Sequence, residues 1–499
     1  MKINISLDEV KETAKLKIYK KIAVSTEILA DVRTPIELLK ILKEVSTHTY
    51  ILESAEENLT WGRYTFLGFE PKLEITLNDY KIKIKDKDGV RLEEDCINPA
   101  KYIRQILSEY KSPKQEELPS FTGGLVGYFS YDYIKYAEPK LKLDNSKDAD
   151  FKDMDLMLFD KIIAYDNYKQ KIIVIVNMDI AGDAIEVNYK EALREIERII
   201  GLIKYGKAKE EEKIKLLSDF EPLFKKEEYM AIVGRAKKYI YEGDIFQVVL
   251  SNKLEAKASG SLLDAYRRLR ISNASPYMFY FSSNDIEIAG ASPETLVKLK
   301  DKKLSTFPLA GTRKRGSTED EDKKLIKDLL SDEKEKAEHN MLVDLGRNDL
   351  GKISKFGSVK VDKYMEIVKF SHVMHIGSTV KGLIREDKDA LDAIEAVLPA
   401  GTLSGAPKIR ACEIIDELEE RITCLSFFLY GGAIGYIDFS GNMDTCISIR
   451  LAYKKKDRLV IRSGAGIVAD SDPELEYEEC VNKMKAVKYA IESACKEEM

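Results

Sequence analysis

Two acidic patterns in this sequence could do chemistry together. In DEKEKAEHN, Glu335, Glu338 and His339 are three and four residues apart, a spacing that puts their side chains on one face of a helix. In PELEYEECVNK, Glu476, Glu479 and Lys483 again form one stripe. Two pairs of hard oxygen ligands facing one another would hold Mg²⁺, which takes one or two carboxylates, water and an anionic substrate. The competing reading is a pair of solvated faces in a chain rich in Lys and Glu. His339 does not make a zinc protease signature, because H-E-x-x-H is absent. His372 and His375 in SHVMH lie on a strand-like alternation whose odd separation sends them to opposite faces, so they do not share a metal; an acid–base role remains open to one of them. Glycine-rich stretches at PLAGTRKRG, AGTLSGAPK, YGGAIGY and SGAGIV are neither Walker A loops nor dinucleotide fingerprints. Their backbone N–H groups could take carboxylates with help from Arg450 and Lys483. Equally, they could be tight turns between strands.

These residues need elements to position them. TYILES (49–54), KLEITL (72–77) and GLVGYFSYD (124–132) read as strands, with helices over 99–110 and 186–204. The charged stretch 204–226 reads as a linker. A boundary near 218 divides an N-terminal region, 1–218, from a second region, 219–499, whose sheets could still interleave. Beyond it the pattern gives a helix over 227–243, an alternating strand at 245–252 and closely spaced strands to about 314. A helix over about 319–345, further strands, helices near 388–396 and 406–418, strands at 430–438, 444–453 and 458–463, and a C-terminal helix complete it. Hairpin-length turns and grouped helices predict an α+β fold with large antiparallel sheets.

The chain has 499 residues, with 80 Lys and Arg against 86 Asp and Glu, a net charge of −6. Both signs are interspersed, so no basic surface for nucleic acid is expected. No apolar run approaches the roughly 20 residues of a membrane span. The N-terminus MKINISLDEVKE has no apolar core of a signal peptide, which predicts a cytoplasmic protein. Six scattered cysteines (Cys96, Cys412, Cys424, Cys446, Cys480, Cys495) form no C-x-x-C pair and are expected to be reduced.

Taken in order, ILES, GRYTFLG (62–68), GDIFQVVLS (243–251), ASPETLVKL (291–299), PLAGTRKRG (308–316), EKEKAEHNMLVDLGRNDLG (333–351), VMHIGSTVKG (373–382), AGTLSGAPK (400–408), YGGAIGYID (430–438) and GAGIVADSDPELEYEECVNK (464–483) resemble the chorismate-utilising enzymes. Within that family they are most similar to the component I branch of the anthranilate synthases. Each motif is weak alone; their collinearity is specific. The resemblance implies two packed antiparallel sheets with outer helices, chorismate as substrate and Mg²⁺ as cofactor. It implies Glu338 and Glu479 as direct Mg²⁺ ligands, with Glu335 and Glu476 completing the cluster through water. Gly311, Thr312, Tyr430, Arg450, Gly464, Ala465, Gly466 and Lys483 would bind substrate. Glu294, His375, Gln247 and Thr402 would surround the reacting centre. Glu294 would be the acid that protonates the departing ring hydroxyl, which requires a raised pKa, and His375 would serve the later elimination.

Two positions separate the branches. Relatives that add water, forming isochorismate or salicylate, carry a Lys where this chain has Gln247, and a neutral amide is no general base. Aminodeoxychorismate synthases typically carry a nucleophilic Lys where this chain has Ala310. Both departures point to an anthranilate-forming enzyme. No cysteine sits in G-x-C-x-G, so the resemblance implies ammonia from a separate glutamine amidotransferase subunit, in a heterotetramer. It also implies inhibition by L-tryptophan at a corner built from Glu53, Ser54, Arg63, Pro276, Tyr277, Met278, Gly435 and Tyr436. An alternative of another class is an inactive tryptophan-binding regulatory homologue, against which the joint presence of Glu294, Glu338, Glu479, His375 and Lys483 speaks.

Overall fold

A computed structural model of the chain describes residues 2–54, 62–141, 151–369, 373–420 and 429–496. His372 and Cys424 lie outside them. The architecture is α+β: two large antiparallel sheets, of 13 and 12 strands among the described residues, with helices on their outer faces.

Both sheets draw strands from either side of residue 218. In the larger, Lys21–Leu29, Lys171–Asp179, Lys161–Asp166, Tyr64–Phe69 and Thr49–Glu53 run to a join with Tyr277–Ser282, followed by Ile286–Ser292, Leu451–Lys455, Arg458–Ile467 and Gln247–Ser259. At the join Glu53 faces Met278 and Ile51 faces Tyr280. In the smaller, Leu309–Lys314, Val373–Leu383, Lys303–Thr306, Thr295–Lys300, Met443–Ile447 and Ala433–Asp438 lead to Gly124–Phe129 and four further strands of the N-terminal region. Tyr436 there faces Val126.

Alternation explains the stacking. Tyr50, Phe66, Ile162 and Ile175 from the larger sheet bury against Phe121, Val126 and Phe159 on the smaller. Alongside, Phe279, Ile288, Leu451 and Val460 meet Tyr128, Ile434 and Cys446. Full burial of such side chains stabilises by about 2 kcal/mol each, which ties the sheets face to face. The outer faces take helices: Glu333–Gly351 packs on Leu309–Lys314 and Val373–Leu383, while the final helix Pro473–Lys496 packs on Arg458–Ile467 and on Leu263–Ser272.

Three expectations change. The helix over 319–345 is two, Glu319–Ser331 and Glu333–Gly351, because Asp332 leaves the helical conformation and caps the second, accepting from the N–H groups of Lys334 and Glu335. The strand over 444–453 is also two, Met443–Ile447 and Leu451–Lys455, which belong to different sheets. SGAGIV is no turn: Gly464–Gly466 lie inside the strand Arg458–Ile467.

Candidate active site

The chain crosses between the sheets at two adjacent points, and each crossing carries a side chain of the candidate site. From Ile286–Ser292 it passes to Thr295–Lys300 through Glu294; from Met443–Ile447 it passes back to Leu451–Lys455 through Arg450. The crossings are laced together. The Ile447 N–H donates to the Glu294 carbonyl at 3.0 Å and the Ala291 N–H to the Arg450 carbonyl at 3.1 Å. Arg450 adopts φ 53°, a left-handed conformation of a non-glycine residue and a recurrent mark of functional positions.

Glu294 is 9 % exposed and lies against a small cavity lined also by Leu342, Leu345, Val397 and Thr402. Burial pushes its pKa from 4.5 to about 8, against the opposing pull of the Thr402 hydroxyl and the Lys483 charge. The acid is therefore mostly protonated at neutral pH. The Thr402 hydroxyl oxygen is itself buried without a hydrogen bond of good geometry. The Arg450 guanidinium makes no hydrogen bond or ion pair among the described residues. Burial lowers its pKa, opposed by Tyr430 and Glu479. A largely buried cation without a counter-ion is a prepared place for an anion.

His375 is aimed by a β-bulge. Ala310 pairs with Ile376 and Arg313 with Met374, so Gly311 and Thr312 together oppose His375. Gly311 takes φ 65°, which a side chain would resist. The bulge turns the Gly311 carbonyl to 2.8 Å and the Thr312 hydroxyl to 3.2 Å from His375 Nδ1. Nδ1–H donates to that carbonyl, which makes Nε2 the lone-pair nitrogen of the neutral ring. Burial lowers the His375 pKa, the Gly311 hydrogen bond opposes this, and Arg450 lowers it further. His339 does something else: it is fully buried, its Nε2 lies 2.6 Å from Ser378 Oγ, and burial takes its pKa down to about 4. It is a neutral core residue.

The two acidic helices do converge. Glu338 has its pKa raised by burial and then by Glu335 and Glu479, with Lys483 and Lys334 opposing. Glu476 is raised by burial, against a hydrogen bond from Ser471 at 2.6 Å, and is pushed further by Glu479. A β-carbon on Gly311 would stand 3.1 Å from Glu335 Oε2, so this cluster adjoins His375. Most of the acids have protein partners: Arg313 lies 3.3 Å from Glu335, and Lys483 lies 2.7 Å from Glu479. Among the described residues no three acidic, histidine or cysteine side chains form a closed ligand cage. The fit to a hard divalent cation rests on the donor set, clustered carboxylates of which Glu338 and Glu476 have raised pKa values that a cation would relieve.

The remaining wall is the pair of strands Gln247–Ser259 and Arg458–Ile467, on which Val249 faces Gly466 and Ser251 faces Gly464. Room is tight at both glycines. A β-carbon on Gly464 would lie 2.6 Å from the Leu250 carbonyl oxygen and 3.0 Å from the Tyr430 hydroxyl, and one on Gly466 would lie 2.4 Å from the Gln247 side-chain nitrogen, which would have to move aside. Ala465 is fully buried between them. Lys483 donates to the Gly464 carbonyl at 3.0 Å. The Gln247 carbonyl oxygen is buried with no partner. Arg313, Lys334 and Ser471 are contributors that the sequence did not single out, because only the packing of distant strands and helices brings them here.

The candidate tryptophan corner divides. Tyr277 crosses the intersheet space, its hydroxyl 2.9 Å from Thr295 Oγ1 and 2.8 Å from Asp444. Gly435 and Tyr436 sit opposite Thr445 and Asp444 on the neighbouring strand, and Tyr436 packs on Phe121 with ring centroids 4.3 Å apart. The Glu53 carboxylate turns instead to the helix side, held by the Tyr266 hydroxyl and by Arg270 at 2.6 Å, and Met278, 1 % exposed, packs in the same core. Pro276 is buried at the start of that strand, and Ser54 follows Glu53. Arg63 pairs with Asp166 at 2.8 Å.

The sequence matches the chorismate binding enzyme family over residues 37–489. The chain belongs to that family. It is 45 % identical to anthranilate synthase component 1 of Acetivibrio thermocellus, over 98 % of each chain. The crystal structure of anthranilate synthase component I from Streptococcus pneumoniae superposes with a TM-score of 0.72 at 36 % identity, covering 85 % of this chain and 92 % of that one. The menaquinone-specific isochorismate synthase of Escherichia coli shares the fold, with a TM-score of 0.68 at 17 % identity, 98 % of this chain and all of that one. The chain is thus a chorismate-utilising enzyme. No helix of the described residues is long and apolar enough to cross a membrane.

Proposed function

We propose that this chain is the aminating subunit that converts chorismate and ammonia to anthranilate and pyruvate. The observation that carries the reading is the placing of a buried acid, Glu294, whose pKa burial raises to about 8, beside the Arg450 guanidinium, which has no hydrogen-bonded or ion-pair partner among the described residues and is delivered by the adjoining strand crossing. Arg450, the Tyr430 hydroxyl and the backbone at Gly464 to Gly466 bind the enolpyruvyl carboxylate. Thr312 and Thr402 flank the ring beside Gly311. Mg²⁺, held by Glu338 and Glu479 with Glu335 and Glu476 behind them, would neutralise the ring carboxylate that otherwise repels attack at the adjacent carbon.

Glu294 gives its proton to the departing ring hydroxyl, which leaves as water while ammonia bonds to the carbon next to the ring carboxylate. The unpaired Gln247 oxygen accepts an N–H without acting as a base, which suits a nucleophile that needs no deprotonation. Ala310, 8 % exposed, offers no competing nucleophile. His375 then removes the ring proton through Nε2 while pyruvate departs and the ring becomes aromatic. We further propose that residues 219–499 supply this chemistry and residues 1–218 the strand that completes a tryptophan-sensitive corner. Ammonia comes from a glutamine amidotransferase partner in a heterotetramer in the cytoplasm. The test is to incubate the isolated chain with chorismate, Mg²⁺ and an ammonium salt. Blue-fluorescent anthranilate supports the reading; no product, or 4-aminobenzoate after its lyase is added, rejects it.

A further inference from the structure

We propose that Lys408 is a positioning residue for the acid step: it closes the segment between residues 397 and 408 on itself and so holds Thr402 against Glu294. The inference rests on the acid role proposed for Glu294 and adds the residue that fixes the acid's surroundings. Lys408 opens the helix Lys408–Glu420, but its ammonium group is turned inward. Nζ donates to the Val397 carbonyl at 2.7 Å and to Asp349 Oδ2 at 2.8 Å, and the two side chains are 9 % and 8 % exposed. A lysine serving only a surface helix would keep its head in water. Burial of this charge is costly unless it is paired and hydrogen-bonded, and here the pairing spans three elements: the end of the helix Ala390–Val397, the helix Glu333–Gly351 and the start of Lys408–Glu420.

What the pairing encloses is one wall of the acid's cavity. The far half of the segment is fixed to the strand Gln247–Ser259, where Ala406 pairs with Gln247 and Gly405 with Val248. The near half turns through Gly401–Leu403, and its bonds are internal: the Leu403 N–H and the Ser404 hydroxyl both donate to the Ala400 carbonyl, at 3.0 and 2.9 Å. Thr402 sits in this turn. It lines the cavity beside Glu294 together with Val397 and Gly401, and Leu345 and Asp349 line it from the helix Glu333–Gly351. A β-carbon on Gly401 would stand 2.7 Å from Leu345 Cδ1, so turn and helix touch. Lys408 thus ties the entrance of the turn to the helix on which the turn rests. The Thr402 hydroxyl and the Lys483 charge hold the Glu294 pKa down against burial. Asp349 faces the same cavity, with Lys352 at 3.7 Å as its other cation. Removing Lys408 therefore acts in one direction: Thr402 withdraws, the Asp349 charge is left less compensated, and both changes raise the Glu294 pKa.

The test is turnover of the full chain against pH, with chorismate, Mg²⁺ and a constant concentration of free ammonia, for the wild type, Lys408→Met and Lys408→Met/Asp349→Leu. The double variant removes both charges and leaves no unpaired buried carboxylate, so it carries the test if the single variant does not fold. In either folded variant kcat at pH 7 should fall by about tenfold or more, because the acid's wall has shifted, with the KM for chorismate within about threefold. The alkaline limb should move up by about half a pH unit or more. A mere loss of folded molecules would lower turnover equally at every pH and leave the limb in place. A limb at the wild-type pH in a folded variant overturns the proposal and leaves the acid role of Glu294 standing. A wild type without the limb, or a limb that persists in Glu294→Gln, overturns the acid role and this inference with it.

Discussion

Replacing Glu294 by Gln separates its two consequences, one for the reaction and one for stability. The carboxyl titrates at about 8 in the folded chain against 4.5 when unperturbed. Because the folded pKa is the higher one, the unfolded chain releases its proton first as pH rises. The wild-type chain therefore loses stability relative to Gln between those two values. The arithmetic of the two pKa values gives a penalty of about 1 kcal/mol at pH 5, about 3 kcal/mol at pH 7 and about 4 kcal/mol at pH 8. The amide contributes an offset that does not vary with pH, so the slope is the readout. The unfolding temperature of the wild type should fall relative to the variant by roughly 2 °C between pH 5 and pH 7 for a chain of this size. For the reaction, the proton sits on roughly nine-tenths of the molecules at pH 7 and half at pH 8. Turnover measured by anthranilate fluorescence, with free ammonia held constant, should fall through an alkaline limb near pH 8. In the Gln variant turnover should drop by about 10²–10⁴ and the limb should vanish. Turnover within tenfold of wild type, or a stability gap that does not change with pH, would refute the acid role.

Glu338→Gln removes a proposed oxygen ligand whose pKa burial, Glu335 and Glu479 raise; Mg²⁺ titration of turnover should show no activity, or a requirement raised at least tenfold, and full activity at the wild-type concentration would contradict the ligand role. His375→Ala should leave the first step running and let an aminated, non-aromatic intermediate accumulate, visible by chromatography of quenched reactions; an equal loss in both steps would make the histidine structural. Tyr277→Phe removes hydrogen bonds to Thr295 and Asp444, worth about 1 kcal/mol each. It should raise the tryptophan concentration for half inhibition at least tenfold with uninhibited turnover within twofold, and unchanged inhibition would exclude Tyr277 from the corner.

Elements with strong local signals were legible: the alternation in KLEITL, the stripe on the final helix and the amphipathic run over 186–204 all stand close to where their patterns place them. The failures share a cause. Asp332 reads as one more charged helix residue in SDEKEK, because Asp is a preferred cap type but caps only where its backbone leaves the helical conformation, which a run of charged residues does not show. CISIRLAY keeps a strand pattern across Ile449 and Arg450, so nothing local marks the passage from one sheet to the other. Gly464 and Gly466 look like turn residues, yet they lie within a strand, and at Gly464 the Leu250 carbonyl of the neighbouring strand stands where a side chain would go. The carboxylate stripes announced two helices; their meeting, and the claims of Arg313, Ser471 and Lys483 on them, arise only from packing. Glu53 was legible as a strand residue, but the face it presents depends on Tyr266 and Arg270, more than two hundred positions away.

The strand crossings also explain how a ligand between the sheets could reach the chemistry without touching it. Tyr277 belongs to the larger sheet, but its hydroxyl is anchored on Thr295 and Asp444 of the smaller one. Thr295 is the residue after Glu294, and Asp444 lies on the strand whose Ile447 N–H holds the Glu294 carbonyl. From the end of that strand the chain passes through Arg450 into Leu451–Lys455 of the larger sheet. Anything that changes the spacing of the sheets at Tyr277 therefore changes the position of the acid relative to the guanidinium, because the aromatic core between them is close-packed and transmits displacement instead of absorbing it. Coupling of this kind is reciprocal: on the proposed function, a substrate held at Arg450 and Glu294 should equally restrict the intersheet corner. Had the acid and the cation stood on one continuous strand, the corner could have shifted without either of them moving, and the interleaving of both halves of the chain in both sheets is what denies it that freedom.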